Sequence, residues 1–317
     1  MPLDHPSSDI LNAALACGFD AAALTPAGPT PGFDCYQRWL SADQHSTMAY
    51  LEKNLDIRAD PRTRYPWAKS ILVVALRFDQ PEPDGLAADH PLRGLSQYAW
   101  GRDYHRVMDK KLKALNQRLT KEGLIQPDEA RWFCDAGPVN ERAWAMAAGL
   151  GAQGKNGLLL HPELGSALYL GVGLLGVETD AQTEPIADLC GRCRLCVDAC
   201  PTGAINPDRT IDSAKCIAYW TIEADGDAPP ELSDRFGQWW FGCDICRRCC
   251  PRQPKPAPVA PDLAVRPEYL SLTFDRLLAM NESEFDEVFQ ASAIRRAGLE
   301  KIKRTIRSMK RDSRPAK

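Results

Sequence analysis

The sequence predicts an α+β fold in three parts: a mixed domain over residues 1–180, a cysteine-rich domain over residues 181–262 and a short helical basic segment over residues 263–317. Amphipathic helical patterns alternate with short β-branched runs in the first part. Eight cysteines at metal-ligand spacings fill the second part. In the third part, ten Lys and Arg residues stand against two acidic residues from position 294 onward.

The composition is that of an ordinary globular protein, with 44% hydrophobic and 26% charged residues. A net charge of −3 gives no overall positive field that would indicate a nucleic-acid partner. Cysteines grouped at metal-ligand spacings favour a reducing cytosol over secretion. No run approaches the ~20 apolar residues of a membrane span. The sequence therefore predicts a cytoplasmic protein that does not contact a membrane.

The first domain begins with an amphipathic helix that leads into a strand between Ile10 and Leu24. Apolar residues at helical spacing predict further helices within residues 34–54, 103–121 and 268–311. The run Lys69–Phe78 is apolar and β-branched, as in a buried strand, and residues 131–134 predict a second strand.

The segment after the second strand predicts a helix, a loop and two strands. Pro138 suits the first turn of a helix that runs to Gly149. The glycine-rich loop Gly149–Gly157 has G-x-G-x-x-G spacing but follows a helix, so a backbone lining a large planar cofactor is at least as natural as a dinucleotide site. Two apolar stretches, Leu158–Leu160 and Ala167–Val177, are predicted to pair as strands.

The cysteine-rich domain contains the most specific pattern in the chain. It reads C-G-R-C-R-L-C-V-D-A-C-P from Cys190, then has a lone Cys216, and reads C-D-I-C-R-R-C-C-P from Cys243. Thiolates at every third position wrap three corners of an iron–sulfur cubane, and a fourth cysteine before proline ligates the other cluster. By this cross-ligation, one [4Fe–4S] cluster is held by Cys190, Cys193, Cys196 and Cys250, and the second by Cys200, Cys216, Cys243 and Cys246.

Cys250 is chosen over Cys249 because it stands directly before Pro251, as Cys200 stands before Pro201. Zinc is the alternative metal, since CxxC pairs also bind zinc, but a four-ligand zinc site fits this run poorly. The remaining cysteines are predicted to be small buried hydrophobic residues: Cys17, Cys35, Cys134 and Cys249.

Asp135 is the candidate acid. It follows a predicted strand beside a glycine and a helix start, so it is either an N-cap or a carboxylic acid that can donate a proton at the mouth of a site. Tyr104 and His105 begin a predicted helix and are more often structural there. The basic C-terminal segment is either a solvated face or a surface that binds phosphates without reading sequence.

Motifs along nearly the whole chain resemble one family, the epoxyqueuosine reductases, which are iron–sulfur and cobalamin enzymes of tRNA modification. The resemblance is carried by R-A-D-P from Arg58, W-G-R-D-Y-H from Trp100, D-A-G-P from Asp135, A-G-L-G from Ala148, G-K-N from Gly154, the cysteine run to Ile205, K-C-I-A-Y from Lys215, T-I-E from Thr221, F-G-C-D from Phe241 and S-A-I-R-R-A-G from Ser292. It also implies the cross-ligation given above.

The resemblance implies an oxidoreductase that removes the epoxide oxygen of epoxyqueuosine in the tRNA anticodon loop, giving queuosine and water. Electrons would pass through two [4Fe–4S] clusters to cobalamin, and Asp135 matches the family's proton donor. A cobalamin-binding N-terminal domain of α/β sandwich-like form is implied, with pocket residues Arg58, Ser96, Tyr98, Tyr104, His105, Lys155, Asn156, Gly157, Leu159, Leu160, Leu170, Ala218, Cys243 and Asp244.

Three positions depart from the family pattern: Ala136 replaces the Ser or Thr that usually follows the acid, Ala218 stands where serine is usual, and Cys249 replaces a residue that is seldom cysteine. The implied partners are tRNA and a reduced electron donor such as a flavodoxin or ferredoxin, with the protein a monomer. A reductive dehalogenase is one alternative, which the lack of a visible export signal disfavours. An electron-carrying ferredoxin is another, and it leaves the first 180 residues unexplained.

Overall fold

The computed structural model describes residues 6–181 and 183–309 of the chain. At its centre is an antiparallel four-stranded sheet of order β1-β2-β6-β3, and a separate short hairpin joins β4 to β5. The strands are β1 (Ala21–Pro26), β2 (Ser70–Arg77), β3 (Ala130–Phe133), β4 (Ala152–Gln153), β5 (Leu159–Leu160) and β6 (Leu168–Leu175). Within the described residues, no helix has both the length and the apolar character needed to cross a membrane.

Helices surround the sheet and make up the rest of the fold. The α-helices are α1 (Pro6–Ala16), α2 (Phe33–Ser41), α3 (Leu55–Ala59), α4 (Tyr104–Lys121), α5 (Glu141–Ala147), α6 (Leu195–Ala199), α7 (Ile217–Ile222), α8 (Pro230–Ser233), α9 (Ile245–Arg248), α10 (Phe274–Ala279), α11 (Glu282–Val288) and α12 (Leu299–Ser308). Single 3₁₀ turns cover Ala49–Glu52, Pro61–Thr63, Pro91–Gly94, Gln97–Ala99, Ser213–Lys215, Pro261–Leu263, Pro267–Ser271 and Ala293–Arg296.

Strand β2 contributes to two separate cores, because successive side chains of a strand point to opposite faces of the sheet. Leu72 and Val74 pack with α1 and α4 on one face. Ile71 and Val73 pack with α5 on the other face. The strand lies between β1 and β6, so it is paired along both edges and buried on both faces. The predicted buried strand is confirmed.

A third core ties the C-terminal helices to the middle of the chain. Leu92 and Trp100 pack with Trp240, Phe241 and the apolar side of α12. The predicted apolar stripe of α12 is confirmed, since Leu299, Ile302, Ile306 and Met309 are all buried. Four of the ten cations predicted for the basic segment fall in residues 310–317, outside the described part of the chain.

Three predicted elements differ in the structure. Helical spacing over residues 34–54 gives α2 and then a 3₁₀ turn, because Asp43 and Ser46 adopt positive φ and interrupt the helix. The helix predicted from Pro138 begins instead at Glu141, with Asn140 in the N-cap position. Asp135 is therefore not the cap of that helix, and the N-cap alternative is wrong.

The third difference concerns the pairing of the short strand β5. Leu159–Leu160 pairs with Ala152–Gln153 rather than with β6, so the predicted pairing of the two apolar stretches is wrong. The loop between β4 and β5 reverses the chain through Gly157, whose φ of 74° suits glycine. Because of this reversal, β5 pairs with β4, the strand directly before it in the chain. Strand β6 pairs with β2 and β3.

Candidate active site

Asp135 lies two residues after the end of β3, at the centre of a tight three-residue turn. Its φ is 59°, in the left-handed region, and the Ala136 N–H donates to the Cys134 carbonyl at 2.6 Å. The turn folds back closely on the strand, because a Cβ on Gly137 would stand 2.3 Å from the Phe133 ring. Glycine at this position therefore allows the turn that presents Asp135.

The first residues of α4 bring three polar groups to this turn. Tyr104 Oη donates to Asp135 Oδ2 at 2.5 Å, and His105 Nε2 lies 3.2 Å from the same oxygen. The other ring nitrogen of His105 is 2.8 Å from Asp103 Oδ1, and Asp103 also caps α4. The Tyr104 ring is stacked on Tyr169 of β6, with centroids 4.7 Å apart and planes 2° from parallel. The sheet thus fixes the donors that meet Asp135.

These contacts set the protonation of the site. The hydrogen bond from His105, with a second from Tyr104, holds the pKa of Asp135 below its ordinary value. Hydrogen bonds to Asp103 and then Asp135 raise the pKa of His105 to about 9. Near neutral pH the pair is a carboxylate beside an imidazolium, so the proton of the pair resides on His105.

The first turn of α5 supplies a second carboxyl group that the sequence analysis did not single out as a site residue. Glu141 Oε1 accepts a hydrogen bond from the backbone N–H of Asp135 at 2.8 Å. Burial, and then the charge of Asp135, raises the pKa of Glu141 to about 7. Next to it, Arg142 Nη1 donates to the Gly157 carbonyl.

Asp135 stands where two cavities adjoin. The larger, here called the basic cavity, has a volume of about 810 Å³ and is lined by Lys53, Arg58, Arg142, Arg209 and Arg296 together with aromatic residues of α2. The smaller, here called the cysteine cavity, has a volume of about 500 Å³ and reaches the cysteine-rich domain. Both are lined by Asp135, Glu141, Arg142 and Ile211.

The cysteine cavity distinguishes the two predicted sets of cluster ligands. Its wall includes the whole second set, Cys200, Cys216, Cys243 and Cys246, and none of the first set. The thiols also form two electrostatic groups. The pKa of Cys246 is raised by burial and then by Cys243, Cys216 and Cys200, whereas that of Cys250 is raised by burial and then by Cys190 and Cys193. Cys249 also belongs to the group of Cys190, Cys193, Cys196 and Cys250, so the grouping separates the two motif halves while the choice of Cys250 as ligand stays a prediction.

Most of the predicted cofactor residues line one cavity or the other. The basic cavity is lined by Arg58, His105, Gly157 and Leu159. The cysteine cavity is lined by Ser96, Tyr98, Tyr104, Asn156, Leu170, Ala218, Cys243 and Asp244. Lys155 and Leu160 line neither: Lys155 Nζ donates to the carbonyls of Gly191 and Cys193, and Leu160 is buried in β5.

The residues present fit a large cofactor with an apolar body and polar edges. Ligand pockets typically measure about 300–1,000 Å³, and the two adjoining cavities together exceed this range. Phe78, Leu168 and Ile217 supply apolar walls to the cysteine cavity. Arg247 also lines it, with its guanidinium paired to Asp244 at 2.9 Å.

Comparison with known proteins decides the family. The family model described as "Epoxyqueuosine reductase QueG, DUF1730" matches residues 58–136, and "4Fe-4S double cluster binding domain" matches residues 189–253. An epoxyqueuosine reductase of Leadbetterella byssophila is 36% identical over 308 residues, covering 96% of this chain and 98% of the relative. The chain belongs to the epoxyqueuosine reductase family.

Solved structures of epoxyqueuosine reductases share this fold. One, crystallised with an epoxyqueuosine-modified tRNA-Tyr stem loop, matches with a TM-score of 0.86 and 28% identity, covering 95% of this chain and 80% of that one. Another, from Bacillus subtilis, has its catalytic aspartate loop swung out of the active site and matches with a TM-score of 0.84, 28% identity and the same coverage. The predicted α+β class and oxidoreductase activity are confirmed, and the cysteine-rich domain carries [4Fe–4S] clusters rather than zinc.

In this epoxyqueuosine reductase, a buried polar network joins the cofactor residues to the cysteine motif. Asp244 accepts hydrogen bonds from Ser96 Oγ at 2.7 Å, from the Gln97 N–H at 2.8 Å and from Arg247 Nη2 at 2.9 Å. Burial opposes the charge on Asp244, but the charge of Arg247 keeps its pKa below the ordinary value. Arg247 also pairs with Asp79 at 3.5 Å, just beyond β2. The sequence analysis named Ser96 and Asp244 but missed Arg247.

Proposed function

We propose that the chain reduces the epoxide of epoxyqueuosine in a tRNA anticodon loop to queuosine and water. The observation that carries the proposal is the position of Asp135. Its carboxylate meets Tyr104 and His105 where a cavity lined by the second cysteine set adjoins a cavity rich in cations. Asp135 thus lies beside a proton source, next to the cavity through which electrons would arrive and next to the cavity that would bind anions.

Electrons enter through the cysteine-rich domain. We assign Cys190, Cys193, Cys196 and Cys250 to the cluster farther from the site, and Cys200, Cys216, Cys243 and Cys246 to the cluster nearer to it. The support is that only the second set lines the cysteine cavity. A reduced flavodoxin or ferredoxin is the proposed donor in the cytoplasm, and the working unit is a monomer. We also propose the three domains that the sequence predicts, with limits at residues 1–180, 181–262 and 263–317.

Cobalamin is the proposed cofactor across the two cavities, held by the predicted residues that line them. When bound, it supplies a low-potential cobalt centre that drives reductive opening of the epoxide. Apolar walls would pack against its ring, while Ser96, Asn156 and Arg58 offer hydrogen bonds to its polar edges. Lys155 acts indirectly, through the carbonyls of the Cys190–Cys193 loop.

Loss of the epoxide oxygen as water takes two electrons and two protons, and Asp135 is the proposed donor of the proton that the departing oxygen receives first. Because His105 holds the proton of the resting pair, Asp135 passes on a proton taken from His105 across the 3.2 Å contact. Tyr104 keeps the carboxylate oriented. By analogy with the Bacillus subtilis relative, the Asp135 turn is proposed to be an element that can leave the site.

The basic cavity is the proposed entry for the modified nucleoside. Tyr36 and Trp39 lie with ring centroids 5.9 Å apart, and the Arg58 guanidinium is 5.7 Å from the Tyr36 ring centroid. Bases stack on aromatic and guanidinium planes, and cations bind phosphates. Arg296, fixed by a 2.8 Å ion pair to Glu223, brings the basic C-terminal segment to the same cavity.

Two alternatives are less well supported. A plain electron carrier would not need a proton-donating pair beside an 810 Å³ cavity. A reductive dehalogenase would share the clusters and cobalamin, but the family shown by sequence identity is that of the epoxyqueuosine reductases.

The deciding experiment incubates the anaerobically purified protein with tRNA bearing epoxyqueuosine, cobalamin and a reductant, followed by nucleoside mass analysis. We expect queuosine to form only when all four are present. Persistence of epoxyqueuosine with a fully loaded protein would reject the proposed reaction.

A further inference from the structure

We propose that Glu141 is a positioning residue that holds the Asp135 turn in the site by accepting the backbone N–H of Asp135. The inference rests on the proposed function in one respect, the role of Asp135 as the acid. The hydrogen bond between Glu141 and Asp135 is independent of that function. It concerns a carboxylate that would act through the backbone of the candidate acid without touching the substrate.

The turn needs a contact that holds it. A non-glycine residue at the centre of a three-residue turn with positive φ is rare and strained. Such a conformation persists only when the surroundings fix it. Asp135 and Ala136 are both exposed, so packing of their own side chains does not supply that constraint.

The contacts of the Asp135 side chain are unsuited to this task during a reaction. Tyr104 and His105 both bind the carboxylate oxygen Oδ2, and any proton transfer through Asp135 changes those bonds. The 2.8 Å bond from the Asp135 N–H to Glu141 Oε1 involves only the backbone. It can therefore remain unchanged while the carboxylate gains and loses a proton.

Glu141, unlike the exposed turn that contains Asp135, belongs to a helix that is packed into the core. It lies in the first turn of α5, and the next turn of that helix buries Trp144 and Ala145 in the core beneath the sheet. A group on a rigid helix holds its partner more precisely than one on a loop. The geometry thus joins an exposed, strained turn to a fixed element through one hydrogen bond.

Hydrogen exchange tests this contact independently of turnover. In anaerobic holoprotein, Glu141→Ala should speed exchange of the Asp135 amide about 10-fold, the loss expected for a hydrogen bond to a carboxyl group that is partly ionised near neutral pH. Glu141→Gln keeps an acceptor oxygen and should stay within about threefold of the wild type. The control Glu282→Ala removes an exposed glutamate from the first turn of α11 and should change nothing at Asp135. An unaltered Asp135 amide in Glu141→Ala would overturn the proposal.

Kinetics separate positioning from a direct chemical role. Glu141→Ala should lower kcat about 10- to 100-fold with little change in tRNA affinity, while Glu141→Gln restores most of it. Adding Glu141→Ala to Asp135→Ala should cause no further loss, since the turn then has no acid to present. Equal losses in the Gln and Ala variants would assign Glu141 a proton and overturn the positioning role. If no variant or wild type forms queuosine, the proposed reaction fails while the exchange result still decides the contact.

Discussion

Ser96 Oγ donates a 2.7 Å hydrogen bond to Asp244 Oδ1, across 148 positions of the chain, and both side chains are buried. This bond attaches the second cysteine motif to the segment that begins the cofactor pocket. Arg247 completes the attachment by pairing with Asp244 and Asp79. The distance between the nearer cluster and the site therefore depends on a small buried network, which leads to the first prediction.

Replacing Arg247 with methionine should destabilise the protein by about 3–5 kcal/mol, because the buried Asp244 carboxylate loses its closest cation while Asp79 keeps only its ion pair to Arg77. The measurement is the thermal midpoint of anaerobic protein at a fixed scan rate. The control is Arg194→Met, which breaks an exposed ion pair with Asp198 and should cost less than about 1 kcal/mol. Similar midpoints for the two variants would show that the network does not hold the two parts together.

Asp135→Ala should retain cobalamin and both clusters but lose turnover by about 10²–10⁴-fold, the usual contribution of a general acid. Absorption spectra report cofactor content, and nucleoside mass analysis reports turnover. The matched control is Asp128→Ala, in the loop before β3, which should remain active. A fully active Asp135→Ala variant would show that another group protonates the departing oxygen.

The fall of kcat at alkaline pH, the alkaline limb of its pH profile, should follow the deprotonation of His105. Its pKa is raised from 6.5 to about 9, so the imidazolium and the stability it provides are fully present below pH 6.5 and are lost as pH rises through about 9. Asp103→Asn removes the negative charge of the residue that contributes most to this shift and weakens its hydrogen bond to His105, so it should move the limb to lower pH. The pH–rate profiles of the two proteins provide the measurement. Superimposable alkaline limbs would exclude His105 as the proton reservoir.

The presence of [4Fe–4S] clusters was predictable from the sequence and the assignment of their ligands stays a prediction, whereas the geometry around the acid could not be predicted. Cysteine spacing within a short loop fixes which thiols can share a cubane, so Cys200 and Cys243 were assigned before any fold was known. Asp135 has a left-handed backbone and contacts Glu141 and Tyr104, which come from separate helices. No local sequence pattern predicts contacts between separate helices. The one available signal was a pair of charged residues, Glu141 and Arg142, at the start of a helix whose next turn is apolar.

The lack of a local signal for contacts between distant segments also explains the errors in the predicted fold. Apolar stretches predict that strands exist, but their partners depend on how the chain returns, and β5 returns to β4 through Gly157. Strand β2 was predictable because a strand buried on both faces reads as a continuous apolar run. The cavities were not, because Arg209 and Arg296 reach Asp135 from distant segments.

Anaerobically purified protein should contain about eight iron atoms per chain. Cys190→Ala and Cys200→Ala should each lower this to about four, because they belong to different clusters. Iron analysis together with electron paramagnetic resonance of the reduced protein tests the assignment. A wild-type content of about four or fewer would remove the two-cluster arrangement, and loss of all iron in both variants would show that the clusters do not form independently.

Neutralising Arg295, Arg296, Lys303 and Arg307 to glutamine should weaken tRNA binding and flatten its dependence on salt, because each phosphate contact contributes about 0.7–0.9 to the slope of log K against log salt. These side chains lie on or just before α12, whereas Lys301 and Arg304 of the same helix bond back to carbonyls at the end of α7. The measurement is the tRNA dissociation constant at several salt concentrations. A control that neutralises Lys113 and Arg118, which form exposed ion pairs on α4, should change the slope little. Unchanged affinity and slope in the quadruple variant would mean that this segment, including Arg296, does not contact tRNA, and would leave the other cations of the basic cavity to bind it.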